Sequence, residues 1–313
     1  LFQSVTKNME NRTFYFAPLE GITDYIYRNT YHRLFEPMDA YFIPFLTPDK
    51  NGKLSKRQRR DVLPENNEGL HVIPQILTNK EEEFLNGARQ LEELGYREVN
   101  LNLGCPSRCV VSKGRGAGFL GDVEKLKRFL DTIFSGTRMR ISIKTRIGVE
   151  DPEEFGPLLE VFDRYPISEL IIHPRTAKEF YTGTVHWEIY RFAREKSSLP
   201  LCYNGDLFTL EEYEAWDYAF PKSRAVMFGR GVLGDPLLLS RIRRTKGKTA
   251  TWEDLQYELY VAYQKEIGNE QHVLSRLKEF WTYRALCHPE EREKIRQIYR
   301  TETLQEYAKR LHF

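Results

Sequence analysis

Residues 71–102, HVIPQILTNKEEEFLNGARQLEELGYREVNLN, hold one complete folding unit. Residues 71–76 form a short β-rich run, residues 80–94 have helical periodicity, and residues 98–102 alternate apolar and polar side chains as a strand does. The same rhythm extends in both directions. Further β-rich runs lie at residues 13–17, 40–45, 140–145, 169–173, 201–204 and 225–228, and helical segments at 123–134, 153–165 and 210–218. Strand and helix repeated eight times predict an α/β fold, a (β/α)8 TIM barrel, whose sites lie on the loops leaving the strand C-termini and whose phosphate sites commonly follow strands seven and eight. After Pro236 the strand signal stops. Residues 255–267, 273–286 and 290–311 read as amphipathic helices, so a barrel domain at 9–240 and a small C-terminal helical domain at 245–313 are expected, joined by the basic, Gly-punctuated run from Arg241 to Lys248.

The 313 residues suffice for a barrel with an appendage. With 41% hydrophobic and 29% charged residues the composition is that of a soluble globular protein, and no apolar run approaches the ~20 residues of a membrane span. No membrane association is expected, and with no export signal legible the expected compartment is the cytoplasm. The chain opens Leu-Phe-Gln-Ser, and Met9 is the expected natural start. Cys105, Cys109, Cys202 and Cys287 are too few and too scattered for a disulfide scaffold. Cys105 and Cys109 lack a second pair of ligands downstream, so no metal is expected. A net charge of +2 does not announce a nucleic-acid partner. That case rests on local clusters: Lys50, Lys53, Lys56, Arg57, Arg59 and Arg60, and the run from Arg241 to Lys248, each of which has solvated surface charge as its plain alternative.

The chemistry-bearing residues recur at the ends of the predicted strands. Gln75 ends the third run, Asn102 and Cys105 follow the fourth, Lys144 ends the fifth, and His173 and Arg175 follow the sixth; Asn204-Gly205-Asp206 leaves the seventh and Gly229-Arg230-Gly231 the eighth. The glycines allow a backbone to approach a phosphate, and Arg230 adds a guanidinium, although two ordinary turns would read alike. An ammonium ending a buried strand, as Lys144 does, is costly to desolvate unless an anion meets it or it snorkels out of the barrel. His173 is either a satisfied core histidine or a ligand contact, and Arg175 either pairs with a nearby Glu or meets an RNA phosphate. GRGAG at 114–118 lacks the GxGxxG spacing of a dinucleotide loop and is expected to be a mobile flap beside Cys105. Cys105, in a Gly-Cys-Pro turn, has an unperturbed pKa of ~8.5 and stays protonated at neutral pH, which suits a general acid.

APLEGITDYIYR at 17–28, Gln75, NLGCPSRCVVSKGRGAGFL at 102–120, KTRIG at 144–148, HPRT at 173–176 with Tyr181-Thr-Gly183, NGD at 204–206 and FGRG at 228–231 stand in this order along the chain. In that order and over nearly the whole chain, the sequence resembles the flavin-dependent tRNA-dihydrouridine synthases. The resemblance implies FMN at the barrel mouth, touching the backbone of Ala17, Pro18 and Leu19, with Gln75, Lys144 and His173 near the ring or ribityl chain. Asn204, Gly205, Asp206, Gly229 and Arg230 would hold its phosphate. Cys105 would be the proton donor, Asn102 and Arg175 would contact the uridine or its phosphate, and the helical tail would bind tRNA. NADPH or NADH would be the reductant. The chain departs from the family at Leu19, where Met is common, and at Pro174, where a small residue often follows the histidine. No protein partner is implied, and a monomer is expected. The competing enzyme reading is a dihydroorotate or dihydropyrimidine dehydrogenase acting on a free pyrimidine; a non-catalytic RNA-binding barrel is the competing reading from another class.

Overall fold

The computed structural model describes residues 12–245 and 248–313; the expected start at Met9 and two members of the basic run, Lys246 and Gly247, lie outside them. Eight strands close into one barrel in chain order: β1 (Thr13–Phe16), β2 (Ala40–Leu46), β3 (Val72–Ile76), β4 (Glu98–Leu103), β5 (Arg140–Arg146), β6 (Leu170–His173), β7 (Leu201–Tyr203) and β8 (Ala225–Phe228). Successive pairs are parallel, and Thr13 N donates to Arg224 O at 2.8 Å where β1 meets the start of β8. This is the expected TIM barrel. Its strands are buried almost throughout because helices cover their outer face, which is why they read as apolar runs rather than as strict alternation.

The chain divides into two compact units that are not contiguous in sequence. One comprises residues 12–18 with Ala40–Gly205 and Phe220–Met227. Its helices show why the sequence folds locally. Helix Glu81–Glu93 starts on three glutamates that suit the positive helix N-terminus, and buries Phe84, Ala88 and Leu91. Helix Val123–Gly136 is capped by Asp122, which accepts from Lys125 N, and buries Leu126, Phe129, Leu130 and Ile133. Phe129 stands edge-on to Phe119 at 5.2 Å and to Phe84 at 6.0 Å, and truncating such a side chain to Ala costs about 3–5 kcal/mol.

The second unit comprises Leu19–Asp39, Asp206–Ala219 and Phe228–Phe313. Helix Glu270–Cys287 is its axis. Phe280 stacks on Tyr27 of helix Tyr25–Leu34 at 5.0 Å, and Trp281 Nε1 donates to Tyr307 Oη, which donates to Gln256 Oε1 at 2.7 Å. Asp24 caps helix Tyr25–Leu34 and also receives Tyr263 Oη at 2.9 Å and pairs with Arg276 at 3.2 Å, tying that helix to the tail. The single helix expected at 290–311 is broken into Arg292–Tyr299 and Leu304–Leu311. Thr303 caps the second piece by accepting from Glu306 N, and Lys278 Nζ takes the carbonyls of Tyr299 and Thr301, so the first piece ends where its last acceptors are already satisfied. The described part of the basic run is held internally: Arg241 pairs with Asp235, Arg243 with Glu36 and Asp39, and Lys248 Nζ donates to His32 O at 2.8 Å. No helix among the described residues is long and apolar enough to cross a membrane.

Candidate active site

Strand register brings the polar strand ends of the barrel unit to one mouth. Gln75 pairs with Asn100 across β3 and β4, Asn102 with Lys144 across β4 and β5, and Arg146 with His173 across β5 and β6. Since alternate residues of a strand share a face, Asn100 joins Asn102, and Ser142 and Arg146 join Lys144. The amides form a buried ladder. Asn102 Nδ2 donates to Gln75 Oε1 at 2.7 Å, Gln75 Nε2 to Asn100 Oδ1 at 2.7 Å, and Asn100 Nδ2 to Ser142 Oγ at 3.0 Å. Asn100 and Ser142 were not singled out in the sequence, although their two-residue spacing from Asn102 and Lys144 is the signal that would have found them.

The ladder shapes the cysteine turn. Asn102 Oδ1 accepts the backbone N–H of Gly104 at 3.1 Å and of Cys105 at 2.9 Å, so the residue expected to contact uridine also anchors the thiol's backbone. The glycine-rich segment is not the mobile flap expected from GRGAG. It forms a 3-10 turn, Gly116–Gly121, with Phe119 and Leu120 buried, and Ala117 N donates to Cys105 O at 3.1 Å. Gly116 has φ +56°, and a Cβ there would lie 2.8 Å from Cys105 O, so glycine is needed for the close approach and the left-handed turn rather than for motion. Arg146 completes the turn: Nε donates to Gly104 O at 3.0 Å, Nη1 to Thr176 O at 2.7 Å and Nη2 to Phe180 O at 2.6 Å. Nothing in the KTRIG motif itself marks Arg146 for this role, since its three carbonyl acceptors are distant in sequence. A second buried guanidinium, Arg175, is 1% exposed and donates to Thr182 O at 3.1 Å and Gly183 O at 2.6 Å, so it braces the segment after β6.

The electrostatics follow from burial. Burial raises the Cys105 pKa above the usual thiol value despite Arg146 and Lys144, and the group stays a thiol at neutral pH. Burial, then Arg146, pushes Lys144 down to about 8. Half-buried, its ammonium makes no hydrogen bond or ion pair with any described residue. His173 is held well below its usual value by burial and then by Arg146, Lys144 and Arg175, so it is neutral. Its Nδ1 donates to Asn204 O at 2.7 Å, which leaves Nε2 as an acceptor; that atom is buried and has no hydrogen-bond partner. A buried acceptor and a cation without its anion, side by side, fit a polar, anion-forming ring such as a flavin. Asn204 Nδ2 donates to Met227 O at 2.8 Å, linking β7 to β8, and a Cβ on Gly205 would lie 2.0 Å from Tyr203 Oη.

Of the remaining candidates, Ala17 and Pro18 follow β1 within the barrel unit. In the second unit, Leu19 opens a turn in which its N–H meets Thr23 Oγ1 at 2.9 Å, and Gly229 leads into the short helix Arg230–Gly234. Arg230 Nη2 donates to Asp206 Oδ1 at 2.5 Å and its guanidinium lies over the Phe208 ring at 5.3 Å. Asp206 thus orients Arg230.

The barrel has counterparts among known proteins. The barrel is similar to that of the old yellow enzyme homologue from Zymomonas mobilis (TM-score 0.56, 13% identity, 79% of this chain and 92% of that one) and of morphinone reductase (TM-score 0.54, 13% identity, 78% and 87%). Among curated proteins, a "Probable tRNA-dihydrouridine synthase" of Rickettsia bellii is 30% identical over 158 residues, covering 50% of this chain and 48% of that protein. One of the same name from Staphylococcus aureus is 26% identical over 268 residues, covering 81% and 79%. The chain thus spans about half the length of three of the curated relatives it matches, those of R. bellii, R. typhi and R. prowazekii (48%, 47% and 47%). The dihydrouridine synthase (Dus) family matches residues 15–306, from β1 into the last helix. The chain belongs to the dihydrouridine synthase family.

Proposed function

We propose that the protein is a tRNA-dihydrouridine synthase that reduces the C5=C6 bond of a uridine in tRNA, using FMN and a nicotinamide reductant, NADPH or NADH, and acting as a monomer in the cytoplasm. The observation that carries this reading is the convergence at one barrel mouth of a protonated thiol, Cys105, a neutral histidine with an unused acceptor, His173, and an ammonium without its anion, Lys144. Lys144, His173 and Gln75 would hold the flavin ring or its ribityl chain, and the turns at Asn204-Gly205-Asp206 and Gly229-Arg230 its phosphate. FMN held there would, when reduced, be the source of the hydride for C6 of the uracil. Cys105 then gives its thiol proton to C5, which completes a two-electron, two-proton reduction. Arg146 and Asn102 keep the Sγ aimed by fixing the turn on both sides of it. A stacked uridine cannot reach this mouth, so it must be flipped out at a cost of a few kcal/mol, recovered from phosphate contacts. Lys50, Lys53, Lys56 and Arg59 are exposed and form no ion pair among the described residues, which suits a phosphate-facing surface, and the tail helices are the proposed tRNA-binding part.

The test is spectroscopic. The purified protein should show flavin absorption that bleaches on anaerobic addition of NADPH and returns on addition of unmodified tRNA. Return with a free pyrimidine but not with tRNA would assign it to the small-molecule dehydrogenases. A colourless protein that takes up no added FMN would sink the flavoenzyme reading.

A further inference from the structure

His186 lies between two carboxylates, with Nε2 2.8 Å from Glu179 Oε1 and Nδ1 2.9 Å from Glu188 Oε1. Carboxylate oxygens accept, so both ring nitrogens must carry hydrogen, and the geometry is that of an imidazolium. Neutral imidazole has one N–H and would turn a lone pair toward one of the carboxylates. Glu179 is in turn committed to the backbone: its Oε2 accepts Thr176 N at 2.6 Å and Thr176 Oγ1 at 3.1 Å. The turn so fixed carries Phe180 at φ +52°, a left-handed conformation that costs a non-glycine residue about 1 kcal/mol or more, and it aims Phe180 O at Arg146 Nη2. Arg146 also holds Gly104 O, one residue before Cys105, and its guanidinium lies 5.2 Å from the centroid of the Tyr181 ring. That half-exposed ring stands edge-on to His173 at 6.1 Å. A continuous chain of contacts therefore runs from His186 through Glu179, the Phe180 turn and Arg146 to the proposed acid.

We propose that His186 is a positioning residue for the reduction: gripped as an imidazolium by Glu179 and Glu188, it latches the segment after β6 so that Arg146 holds the Cys105 turn and Tyr181 stands over His173. The proposal rests on the reductase reading above. The charged groups acting on His186 are Glu179, on its own segment, and Glu188, on helix Trp187–Lys196. Burial works against the charged ring, but the two carboxylates outweigh it and raise its pKa above the usual value. Burial likewise opposes ionisation of Glu179, but bonds from His186 and Thr176 outweigh it and lower its pKa. A raised histidine pKa means that the latch is complete below the ordinary histidine pKa and is lost as pH rises through the folded one.

The holoenzyme, reduced anaerobically with NADPH, is mixed with unmodified tRNA in a stopped-flow instrument across the neutral pH range, while the His186 ring signal is followed by NMR. Wild-type reoxidation should slow several-fold with the midpoint at which His186 titrates. Glu188→Gln, at a side chain 69% exposed, should move both midpoints to lower pH without unfolding the protein. His186→Ala should be slow at every pH and lack that limb, while reduction by NADPH is unchanged in all three proteins. His186→Ala or Glu188→Gln reoxidising with the wild-type rate and profile would overturn the latch and leave the reductase reading standing. A wild type whose reduced flavin ignores tRNA would overturn that reading, and the latch with it.

Discussion

Asn102→Ala tests whether the amide ladder holds the cysteine turn. The substitution removes an acceptor shared by Gly104 N and Cys105 N, a loss like that of a helix cap and worth about 1–2 kcal/mol. It also leaves Gln75 Oε1 without a donor at a residue with no exposed surface, which costs about 1–3 kcal/mol more. Turning the ladder's amides offers no escape, since it would leave Gln75 Nε2 without an acceptor in place of Oε1 without a donor. The expected loss is about 2–5 kcal/mol, read from urea midpoints of the flavin-free protein, together with slower tRNA-driven flavin reoxidation.

Asn102→Asp separates the two roles. It keeps the acceptor for the turn but sets an oxygen against Gln75 Oε1. The ladder can then reverse: both amides flip, and Ser142, whose hydroxyl donates as well as accepts, becomes the donor at the far end. The new charge would face Lys144 across the β4–β5 register, where an ammonium without its anion already waits. Below a pH of about 8, where Lys144 is charged, Asn102→Asp should therefore be less damaging than Asn102→Ala, and adding Ser142→Ala should abolish the difference. A loss under about 0.5 kcal/mol for Asn102→Ala, or an Asp variant no better than the Ala variant, would refute the account of the ladder.

Cys105→Ala should retain flavin and RNA binding while the reoxidation step slows on the order of a hundredfold, as loss of a positioned acid requires; a wild-type rate in rapid mixing would remove its role. Lys144→Met should flatten the pH dependence of FMN affinity, which in the wild type should weaken above about 8 as the ammonium is lost; a flavin-fluorescence titration decides. Glu169 is pushed up to about 7 by burial and then by Glu98. The folded protein thus keeps a proton that the unfolded chain releases near the ordinary carboxylate pKa, stability falls as pH rises through that window, and Glu169→Gln should recover about 2 kcal/mol at neutral pH in denaturant titrations, against no gain in acid. Reversing Lys50, Lys53 and Lys56 to Glu should weaken tRNA binding and lower its salt slope by about one for each phosphate that is no longer neutralised, measured by anisotropy at several salt concentrations; an unchanged slope would show that this surface meets no phosphate.

The barrel was legible because parallel strands covered on both faces must be short apolar runs, and all eight runs fell on strands with boundaries shifted by at most one residue. The strand-end polar residues were legible for the same reason, since little else explains a Lys or His closing an apolar run. What escaped were features decided by partners distant in sequence. Arg146 reads as one more basic residue until its three carbonyl acceptors, at Gly104, Thr176 and Phe180, are seen together. GRGAG reads as a flap because glycine signals freedom, yet here the glycines admit close packing against Cys105 O. The break at Arg300–Thr303 was hidden because helical periodicity continues across it, while the carbonyls of Tyr299 and Thr301 are taken by the distant Lys278. The division into two units interleaves segments from both ends of the chain, and no local composition marks that.

Burial is the largest influence on the protonation states of the three central groups. Burial favours whichever form is neutral, so it keeps the Cys105 proton on, takes the His173 proton off and weakens the hold of Lys144 on its own. For the first two, the neutral form is the useful one: a thiol that can give a proton and an imidazole that can accept a hydrogen bond. For Lys144 the charged form is the one that can meet an anion, and an anion in the mouth would raise its pKa back toward the ordinary lysine value. Arg146 sharpens the contrast, because it lowers the pKa of Lys144 and His173 while opposing burial at Cys105, where burial still wins. Filling the mouth with a flat ring and a pyrimidine would exclude more water and strengthen the burial effect on Cys105, while the anion offsets it on Lys144. The proposed acid and the cation are thus set by the same low-polarity surroundings.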